Sequence, residues 1–331
     1  MLFSIICPTY NVEKYVSECI DSILSQTFND WEMIIVDDES EDKTKDVIND
    51  YSKDKRIKFF SKKHSGQTET RNFGVKYAIG EYILFLDSDD LLNKNTLEYL
   101  SFLIHKKKYD ILSFQMTKFN KKQELDDVSI KKHIYQILKN DEILEYYYGK
   151  NKTFSMCGHA IKRSLVLKGF SNIPSEYKTL RVCEDSISVF EIISLCKTAY
   201  IANIIFYYYR QNQNSVSHTK NQKDPFDVIK AFNYLYSRYT NNGNKKVYIE
   251  EKIKLQISYV VISQIHKVKK NKKNIFLFAR KLFIFKHFTL KQKWNLLTLK
   301  LMTLCLKYRL FYPYIIFEKI YSRKIDDGKM Q

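Results

Sequence analysis

The sequence predicts an α/β protein whose central sheet is mostly parallel and is flanked by helices. Short apolar runs of strand length alternate with segments of helical periodicity in the first part of the chain. This alternation favours a parallel sheet with helices on its faces. The composition agrees, because 44% hydrophobic and 28% charged residues form a globular mixture and exclude a largely disordered chain. A length of 331 residues allows one large domain or two ordinary ones.

Four apolar runs mark the predicted strands, at residues 2–7, 32–36, 57–60 and 82–86. A segment of helical periodicity follows three of these runs closely. Asn11 is expected to cap the first helix and Ser40 the second, and later helices are predicted over residues 66–78 and 96–105. Further along, residues 153–163 are predicted to form a strand that leads into a helix, and another helix begins near Glu184.

Polar residues follow three of the predicted strands, at positions 8–11, 37–38 and 87–89. Ligands of such sheets gather at the carboxyl ends of the strands, so these residues predict a nucleotide site. No G-x-G-x-x-G follows the first strand, and no G-x-x-x-x-G-K-[ST] occurs. The dinucleotide-binding and P-loop modes are therefore excluded, and another group must hold the phosphates.

The acidic cluster after the fourth strand is the candidate for that group. Asp87 and Asp89 are two positions apart, so both carboxylates project to one side if the backbone stays extended. Hard oxygen ligands of this kind suit Mg²⁺ or Mn²⁺, which typically take one or two carboxylates plus substrate phosphates. The alternative is that Asp89 or Asp90 only caps the helix over residues 96–105.

The basic charge of the chain is concentrated in its last part. Residues 245–331 contain 21 Lys and Arg against five Asp and Glu, a net charge of +16, whereas the whole chain carries +18. This tail is also rich in large apolar residues and poor in Gly and Pro, which predicts helices with apolar and basic faces. Such helices can lie on an anionic membrane surface. They can equally pack on the first domain with the basic face in water.

The cysteines and the apolar segments predict a cytoplasmic protein without a transmembrane span. The six cysteines are scattered without a C-x-x-C pair and are interpreted as reduced core thiols. The N-terminus has no basic region before its apolar run, and that run ends at Pro8, too early for a signal peptide. The longest strongly apolar stretch, residues 198–209, falls short of the ~20 residues that span a bilayer.

Five motifs resemble the GT-A fold glycosyltransferases of family 2. In chain order they are C-P-T-Y-N at 7–11, S-I-L-S-Q-T-F at 22–28, I-I-V-D-D-E-S at 34–40, a segment from Gly66 to T-R-N at 70–72, and F-L-D-S-D-D at 85–90. The resemblance implies a Rossmann-like GT-A catalytic domain over residues 1–218. It does not extend beyond residue 218, and the composition there predicts a smaller, basic, mostly helical region over residues 219–331. The resemblance also implies transfer of a sugar from a nucleoside diphosphate donor, with inversion and a divalent metal.

The resemblance assigns the first part of the donor site residue by residue. Pro8, Thr9 and Tyr10 would line the nucleoside pocket, and Asp38 would hydrogen-bond the base. Arg71 would face the base or the phosphates. Each residue also has a structural interpretation, since Pro8 can end a strand and Arg71 can lie on a helix surface.

The same resemblance assigns the phosphate and metal contacts. Asp87 would lie near the ribose and Asp89 would bind Mg²⁺ or Mn²⁺. Arg210 would contact a phosphate, and His218 would supply a further metal ligand.

Three departures from the family pattern fall in the donor loops. The family often has Gly where this chain has Glu39, Asn where it has His64, and Ala where it has Thr70. These loops are therefore expected to differ from those of other members, which leaves the donor sugar open.

An acidic pair in the second half of the catalytic domain supplies the predicted base. Glu184 and Asp185 lie at the start of an apolar-periodic helix, where acids are favoured electrostatically. Family 2 enzymes carry a Glu-Asp pair at this place in the order, and its Asp acts as the base. The chemistry requires such a group, because an acceptor hydroxyl is a poor nucleophile until a carboxylate accepts its proton.

These features together predict an inverting glycosyltransferase that uses a UDP-sugar and extends a glycan or lipid-linked acceptor of a bacterial surface polysaccharide. Its place would be the cytoplasm or the inner face of the cell membrane. One alternative is a catalytically silent subunit that binds nucleotide sugar and scaffolds a glycan assembly complex. A basic nucleic-acid-binding protein is the other, disfavoured because no helix-turn-helix, zinc-finger or RNP-type signature accompanies the charge.

Overall fold

The computed structural model describes residues 1–119, 134–151, 155–181 and 183–211, together with seven positions between 227 and 238. The chain divides into two compact units, Met1–Leu180 with Glu184–Gln213, and Arg181–Cys183 with Asn214–Gln331. All strands and helices with defined bounds lie in the first unit. The predicted boundary at residue 218 stays a prediction. Nearly all of the predicted helical region over 219–331 lies outside the described residues.

A nine-stranded sheet forms the centre of the first unit. The strand order is β3-β2-β1-β4-β8-β6-β9-β5, and β7 pairs with β9 beside this path. The bounds are β1 Phe3–Thr9, β2 Trp31–Asp37, β3 Ile57–Ser61, β4 Tyr82–Phe85, β5 Leu91–Leu92, β6 Ile111–Phe119, β7 Tyr135–Lys139, β8 His159–Lys162 and β9 Thr198–Arg210.

Eight α-helices accompany the sheet in the described part of the chain. They are α1 Val16–Leu24, α2 Thr44–Asn49, α3 Gln67–Tyr77, α4 Thr96–Lys106, α5 Asp141–Glu145, α6 Arg163–Asn172, α7 Ser175–Lys178 and α8 Glu184–Ile193. A π-helical turn, Tyr146–Asn151, follows α5. None of the helices in the described residues combines the length and the hydropathy needed to cross a bilayer.

The α/β class predicted from the sequence is confirmed, and the sheet is mixed. Strands β1 to β4 are parallel to their neighbours within that group. Strand β8 is antiparallel to β4 and β6, and β5 and β7 are antiparallel to β9. The strand and helix alternation that predicted a parallel sheet covers the first four strands, and these are parallel. Strands β6 and β9 also pair in parallel.

The expected caps of the first two helices have a different role. Helix α1 begins at Val16 and α2 at Thr44, and neither has a side-chain cap. Instead, the Asn11 N–H donates to Ser40 Oγ at 3.0 Å, and the Glu41 N–H donates to Asn11 Oδ1 at 2.9 Å. The short polar side chains therefore join the loops after β1 and β2, so the capping prediction was wrong at both positions.

Strands β1 and β2 form the centre of the core, and α3 packs directly on them. Every residue of both strands is buried. A Cβ at Gly74 would lie 2.8 Å from Ile6 Cγ2 and 3.2 Å from Val36 Cγ2, so only glycine allows the helix to approach this closely. This contact holds α3, and with it Arg71, against the edge where β1 and β4 end.

Candidate active site

The three polar strand ends predicted from the sequence lie side by side. Strand β1 pairs with β2 on one side and with β4 on the other, all in parallel, so their carboxyl ends meet at one edge of the sheet. The loops that start at Tyr10, Asp38 and Asp87 leave from this edge. The fold thus gathers the predicted donor residues in the place where α/β sheets bind ligands.

Arg71 joins two acidic residues from different parts of the chain. Its Nη1 donates to Asp185 Oδ1 at 2.5 Å, and its Nη2 donates to Asp87 Oδ1 at 2.7 Å. The Arg71 side chain is 1% exposed, whereas those of Asp87 and Asp185 are 27% and 26% exposed. One buried guanidinium therefore holds two carboxylates that keep a face toward solvent.

The electrostatics of this site keep Arg71 charged and raise the pKa values of Asp185 and Glu184. Burial opposes the charge on Arg71, but Asp185 and Asp87 together raise its pKa above the ordinary value. Burial also raises the pKa of Asp185, while Arg71 opposes that rise. Burial, followed by the charge of Asp185, raises the pKa of Glu184 to about 8. The Glu184–Asp185 pair thus contains a carboxyl that is mainly neutral at pH 7 beside one held by an arginine.

Asp87 is positioned by two further residues. Gln67, one helical turn before Arg71 on α3, donates from Nε2 to Asp87 Oδ1 at 3.2 Å. The Asp87 N–H donates to the Tyr207 hydroxyl at 3.2 Å. Gln67 was not predicted as a site residue. The signal that indicates it is its spacing of four from Arg71, which places both on one helix face.

The acidic loop, residues 87–90, forms a turn and does not stay extended. The Asp90 N–H donates to the Asp87 carbonyl at 3.0 Å, so the condition under which both carboxylates would project to one side is not met. Asp87 and Asp89 are nevertheless partly exposed, whereas Ser88 and Asp90 are buried. The loop thus presents the two predicted acids toward solvent and turns the others inward.

The acidic loop has the right donor type for a diphosphate-bound cation. No group of three His, Cys, Asp or Glu side chains that could hold a metal occurs within the described residues. A cation bound mainly by phosphate oxygens needs only one or two carboxylates, and the partly exposed Asp89 fits that need. The predicted ligand His218 lies outside the described residues. The role of Asp89 stays a prediction.

Asp38 is already fully engaged by the loop that precedes α3. Its Oδ1 accepts from Lys62 Nζ at 2.5 Å and from the Ser65 N–H at 3.0 Å, and its Oδ2 accepts from the Gly66 N–H at 2.9 Å. These contacts lower its pKa although burial acts in the opposite direction. In the structure Asp38 organises this loop, and its predicted contact with the base stays a prediction.

The predicted nucleoside pocket has one exposed ring. Pro8 and Thr9 are buried at the end of β1, so they support the loop after β1 from inside the protein. Tyr10 is 47% exposed, and its ring lies 4.8 Å from the ring of His64. Of these three residues, Tyr10 is the one that offers an aromatic face to a ligand.

Two departures from the family pattern are linked in the structure. Glu39 has a φ of +68°, a conformation that favours glycine and that explains why the family often has Gly there. Glu39 Oε2 accepts the His64 N–H at 3.0 Å. The side chain at position 39 thus holds the residue that pairs with Tyr10, a contact that glycine cannot make.

Arg210 lies at the same edge of the sheet, but its described contacts are to protein groups. Its Nε donates to the Asp89 carbonyl at 2.7 Å, and its Nη2 donates to Glu18 Oε2 at 2.9 Å. These contacts tie Arg210 to the acidic loop and α1, and its predicted contact with a phosphate stays a prediction.

Comparison with known proteins identifies the family. The model of glycosyl transferase family 2 matches residues 4–170, about half of the chain. An uncharacterized glycosyltransferase of Rickettsia felis is 46% identical over 95 residues, which is 29% of this chain and 16% of that protein. The minor teichoic acid biosynthesis protein GgaB of Bacillus subtilis is 42% identical over 117 residues, 34% of this chain and 13% of GgaB.

A solved structure shows the same fold. The crystal structure of Staphylococcus aureus TarS 1–349 in complex with UDP-GlcNAc superimposes with a TM-score of 0.76 at 21% identity, covering 98% of this chain and 92% of that one. In sequence, TarS, a poly(ribitol-phosphate) beta-N-acetylglucosaminyltransferase, is 37% identical over 124 residues, which is 36% of this chain and 22% of TarS. The sequence matches thus span only a small part of these relatives. The predicted GT-A fold is confirmed, and the chain belongs to glycosyl transferase family 2.

Proposed function

We propose that the chain is an inverting glycosyltransferase that transfers a sugar from a UDP-sugar to a glycan or lipid-linked acceptor in bacterial surface polysaccharide biosynthesis. The observation that carries the proposal is the contact of one buried guanidinium with both Asp185 and Asp87. The predicted base and a predicted donor residue, far apart in sequence, meet at Arg71. This proximity supports a site in which a donor bound at Asp87 lies near an acceptor hydroxyl at Asp185.

Asp185 is the proposed general base. Its carboxylate accepts the proton of the acceptor hydroxyl as the oxygen attacks the anomeric carbon, which makes the hydroxyl a competent nucleophile. Direct attack inverts that carbon through an oxocarbenium-like transition state, without a covalent enzyme intermediate. Arg71 holds one carboxylate oxygen of Asp185, and the partial exposure of the side chain leaves it accessible to an acceptor.

Asp89 is the residue that would hold a divalent cation, Mg²⁺ or Mn²⁺. When bound, such a cation stabilises the negative charge that develops on the leaving diphosphate. The residues around it act on the donor in their own right. Tyr10 offers a ring face for the base, and the partly exposed carboxylate of Asp87 is the proposed contact of the ribose.

The classes of donor and acceptor rest on the relatives. TarS was crystallised with UDP-GlcNAc and is named as an enzyme that modifies poly(ribitol-phosphate), and GgaB is named for teichoic acid biosynthesis. The TarS complex supports a UDP-sugar donor, and both names support a surface polymer as acceptor. The +16 charge of residues 245–331 supports a position at the inner face of the membrane, where anionic lipids attract Lys and Arg.

The test compares three Asp→Asn variants in a sugar-transfer assay with a panel of UDP-sugars. Asp185→Asn and Asp89→Asn should each lose at least about a hundredfold in kcat, as expected for removing a base or a charge-stabilising group. Asp54→Asn is the matched control, because Asp54 is 27% exposed, close to the 26% of Asp185, and it also pairs with an arginine, Arg56, at 2.7 Å. It should keep full activity.

Two outcomes would overturn the proposal. Full activity in both Asp185→Asn and Asp89→Asn would remove the mechanism. Tight UDP binding by the wild-type protein without transfer to any acceptor would instead favour the silent scaffold subunit.

A further inference from the structure

Arg210, the last residue of β9, reaches the acidic loop of residues 87–90. Its Nε donates to the Asp89 carbonyl at 2.7 Å, and its main-chain N–H donates to Asp90 Oδ1 at 2.7 Å. The side chain is 9% exposed, so these contacts are shielded from water. Because the Arg210 side chain is shielded, its hydrogen bond to the Asp89 carbonyl competes little with water, and this contact restrains the turn at Asp89.

The guanidinium of Arg210 is itself held from several sides. Its Nη2 donates to Glu18 Oε2 at 2.9 Å. Its Cζ lies 4.6 Å from the ring centroid of Phe119 and 5.2 Å from that of Tyr15. A long flexible side chain that is paired and packed in this way loses its freedom to swing, which makes it a rigid support for the Asp89 backbone.

A second residue of β9 supports the same loop. The Tyr207 hydroxyl donates to Asp90 Oδ2 at 2.6 Å and accepts the Asp87 N–H at 3.2 Å. Asp87, Asp89 and Asp90 are thus each hydrogen-bonded to the end of β9. The conformation of the acidic loop is set by a strand more than a hundred positions later in the chain.

We propose that Arg210 is the positioning residue of the cation site. By fixing the Asp89 carbonyl, it fixes the direction in which the Asp89 carboxylate meets a cation bound to the donor diphosphate. The inference rests on the proposed function, because it requires a cation at Asp89.

The charge of Arg210 is compatible with a cation nearby. An unpaired guanidinium beside a divalent cation would repel it. Glu18 neutralises Arg210 at 2.9 Å, so the support carries little net charge. Removing the Glu18 charge should therefore weaken cation binding even though Glu18 does not contact Asp89 in the described hydrogen bonds.

The experiment measures Mn²⁺ binding in the presence of UDP by electron paramagnetic resonance, on the full chain. Removing a support of a metal-binding carboxylate typically costs about 10- to 100-fold in metal affinity, and Arg210→Gln should fall in this range. Arg210→Lys, which keeps the charge but loses the fork geometry, and Glu18→Gln should show smaller losses. Arg56→Gln is the matched control, since Arg56 also pairs with an acid and lies over an aromatic ring, and its Mn²⁺ affinity should not change.

A second measurement separates this role from a phosphate contact and from a general loss of structure. The affinity for UDP without metal and the melting temperature should both stay close to the wild-type values in at least one of two variants, Arg210→Lys and Glu18→Gln. A parallel fall of metal-free UDP affinity would mean that Arg210 contacts the phosphates, and it would overturn the inference.

Two results of the Mn²⁺ measurement distinguish the failures. If the wild-type protein binds Mn²⁺ with UDP and all three variants bind it equally well, the inference fails and the proposed function stands. If the wild-type protein binds no Mn²⁺ with UDP, the metal part of the proposed function fails, and the inference fails with it.

Discussion

Arg71 Nη1 lies 2.5 Å from Asp185 Oδ1, although 114 positions separate the two residues in the chain. Helix α3 carries the arginine and helix α8 begins with the acids, and the two helices are in contact. The same guanidinium reaches Asp87 at the end of β4. Arg71 therefore links the element that carries the proposed base to the loop that carries the proposed donor site.

Replacing Arg71 should destabilise the fold. Arg71→Gln leaves two carboxylates close together without their shared counter-charge, and breaking a buried ion pair costs about 3 kcal/mol or more in the free energy of unfolding. Arg56→Gln, in a pair whose arginine is 31% exposed, should cost about 1 kcal/mol or less. Urea denaturation at pH 7 measures both values. Equal losses in the two variants would show that the Arg71 cluster is no stronger than a surface pair.

The pH dependence of transfer should reveal the same contact. Asp185 must be ionised to act as a base, and burial raises its pKa, so kcat/KM should fall on acidification at a pH above the ordinary aspartate pKa of about 3.9. Arg71 opposes that rise, so Arg71→Lys, with its less closely matched charge, should move the acid limb to higher pH. A pH–rate profile of each protein gives the midpoints. An acid limb that stays in place would mean that the titrating group is not held by Arg71.

Glu184 should make the folded protein less stable as the pH rises. Its pKa is raised from 4.5 to about 8 by burial and by Asp185, so the folded state binds more protons than the unfolded state between these values. Stability is then lost as the pH rises through that window. Between pH 5 and pH 8.5, the melting temperature should fall less in Glu184→Gln than in the wild type. Glu176→Gln, on an exposed position of α7, should follow the wild type.

The sequence alone predicted the parts of the fold that depend on local patterns. The runs at residues 2–7, 32–36, 57–60 and 82–86 became β1 to β4 within two residues at each end. The helix predicted over 66–78 became α3, since its start after Gly66 and its apolar spacing are local signals. The pairing of β8 with β4 and β6 brings together segments far apart in the chain, and no local pattern indicates it.

In the candidate site, too, features that follow from local patterns were predictable and contacts between distant segments were not. The positions of the strand ends in the sequence predicted which side chains lie close together, because neighbouring parallel strands end at the same edge of the sheet. The partners of Arg71 and Arg210 were not predictable. Which acid faces a given arginine depends on how α8 and β9 pack, and the spacing of the motifs carries no information about that. Asn11 and Ser40 show the reverse error, in which a good local capping signal was overridden by contacts between two loops.

The basic tail, residues 245–331, should attach the protein to anionic membranes. These residues lie outside the described part of the chain, but their net charge of +16 follows from the sequence. Each Lys or Arg near an anionic surface contributes about 1 kcal/mol, so deleting the tail should abolish co-sedimentation with phosphatidylserine-containing liposomes. UDP affinity should remain, and neutral liposomes are the control. Unchanged partitioning would support a tail that packs on the first domain.

The exposed ring of Tyr10 should contribute to nucleotide affinity. His64 holds it at a centroid distance of 4.8 Å, and Glu39 holds the His64 backbone. Aromatic pairs contribute about 0.5–1.5 kcal/mol, so Tyr10→Ala should weaken UDP binding by roughly two- to tenfold. Tyr10→Phe keeps the ring and should bind UDP like the wild type. Titration calorimetry with UDP measures these affinities.

Glu39→Gly provides the complementary comparison. Glycine relieves the left-handed backbone at position 39 but removes the bond to the His64 N–H. If Tyr10 is positioned through His64, this variant should lose some UDP affinity while its folded state remains intact, with a melting temperature near that of the wild type. Unchanged affinity in both Glu39→Gly and Tyr10→Ala would place the base elsewhere on the sheet edge, because neither the ring nor its support would then contact the nucleotide.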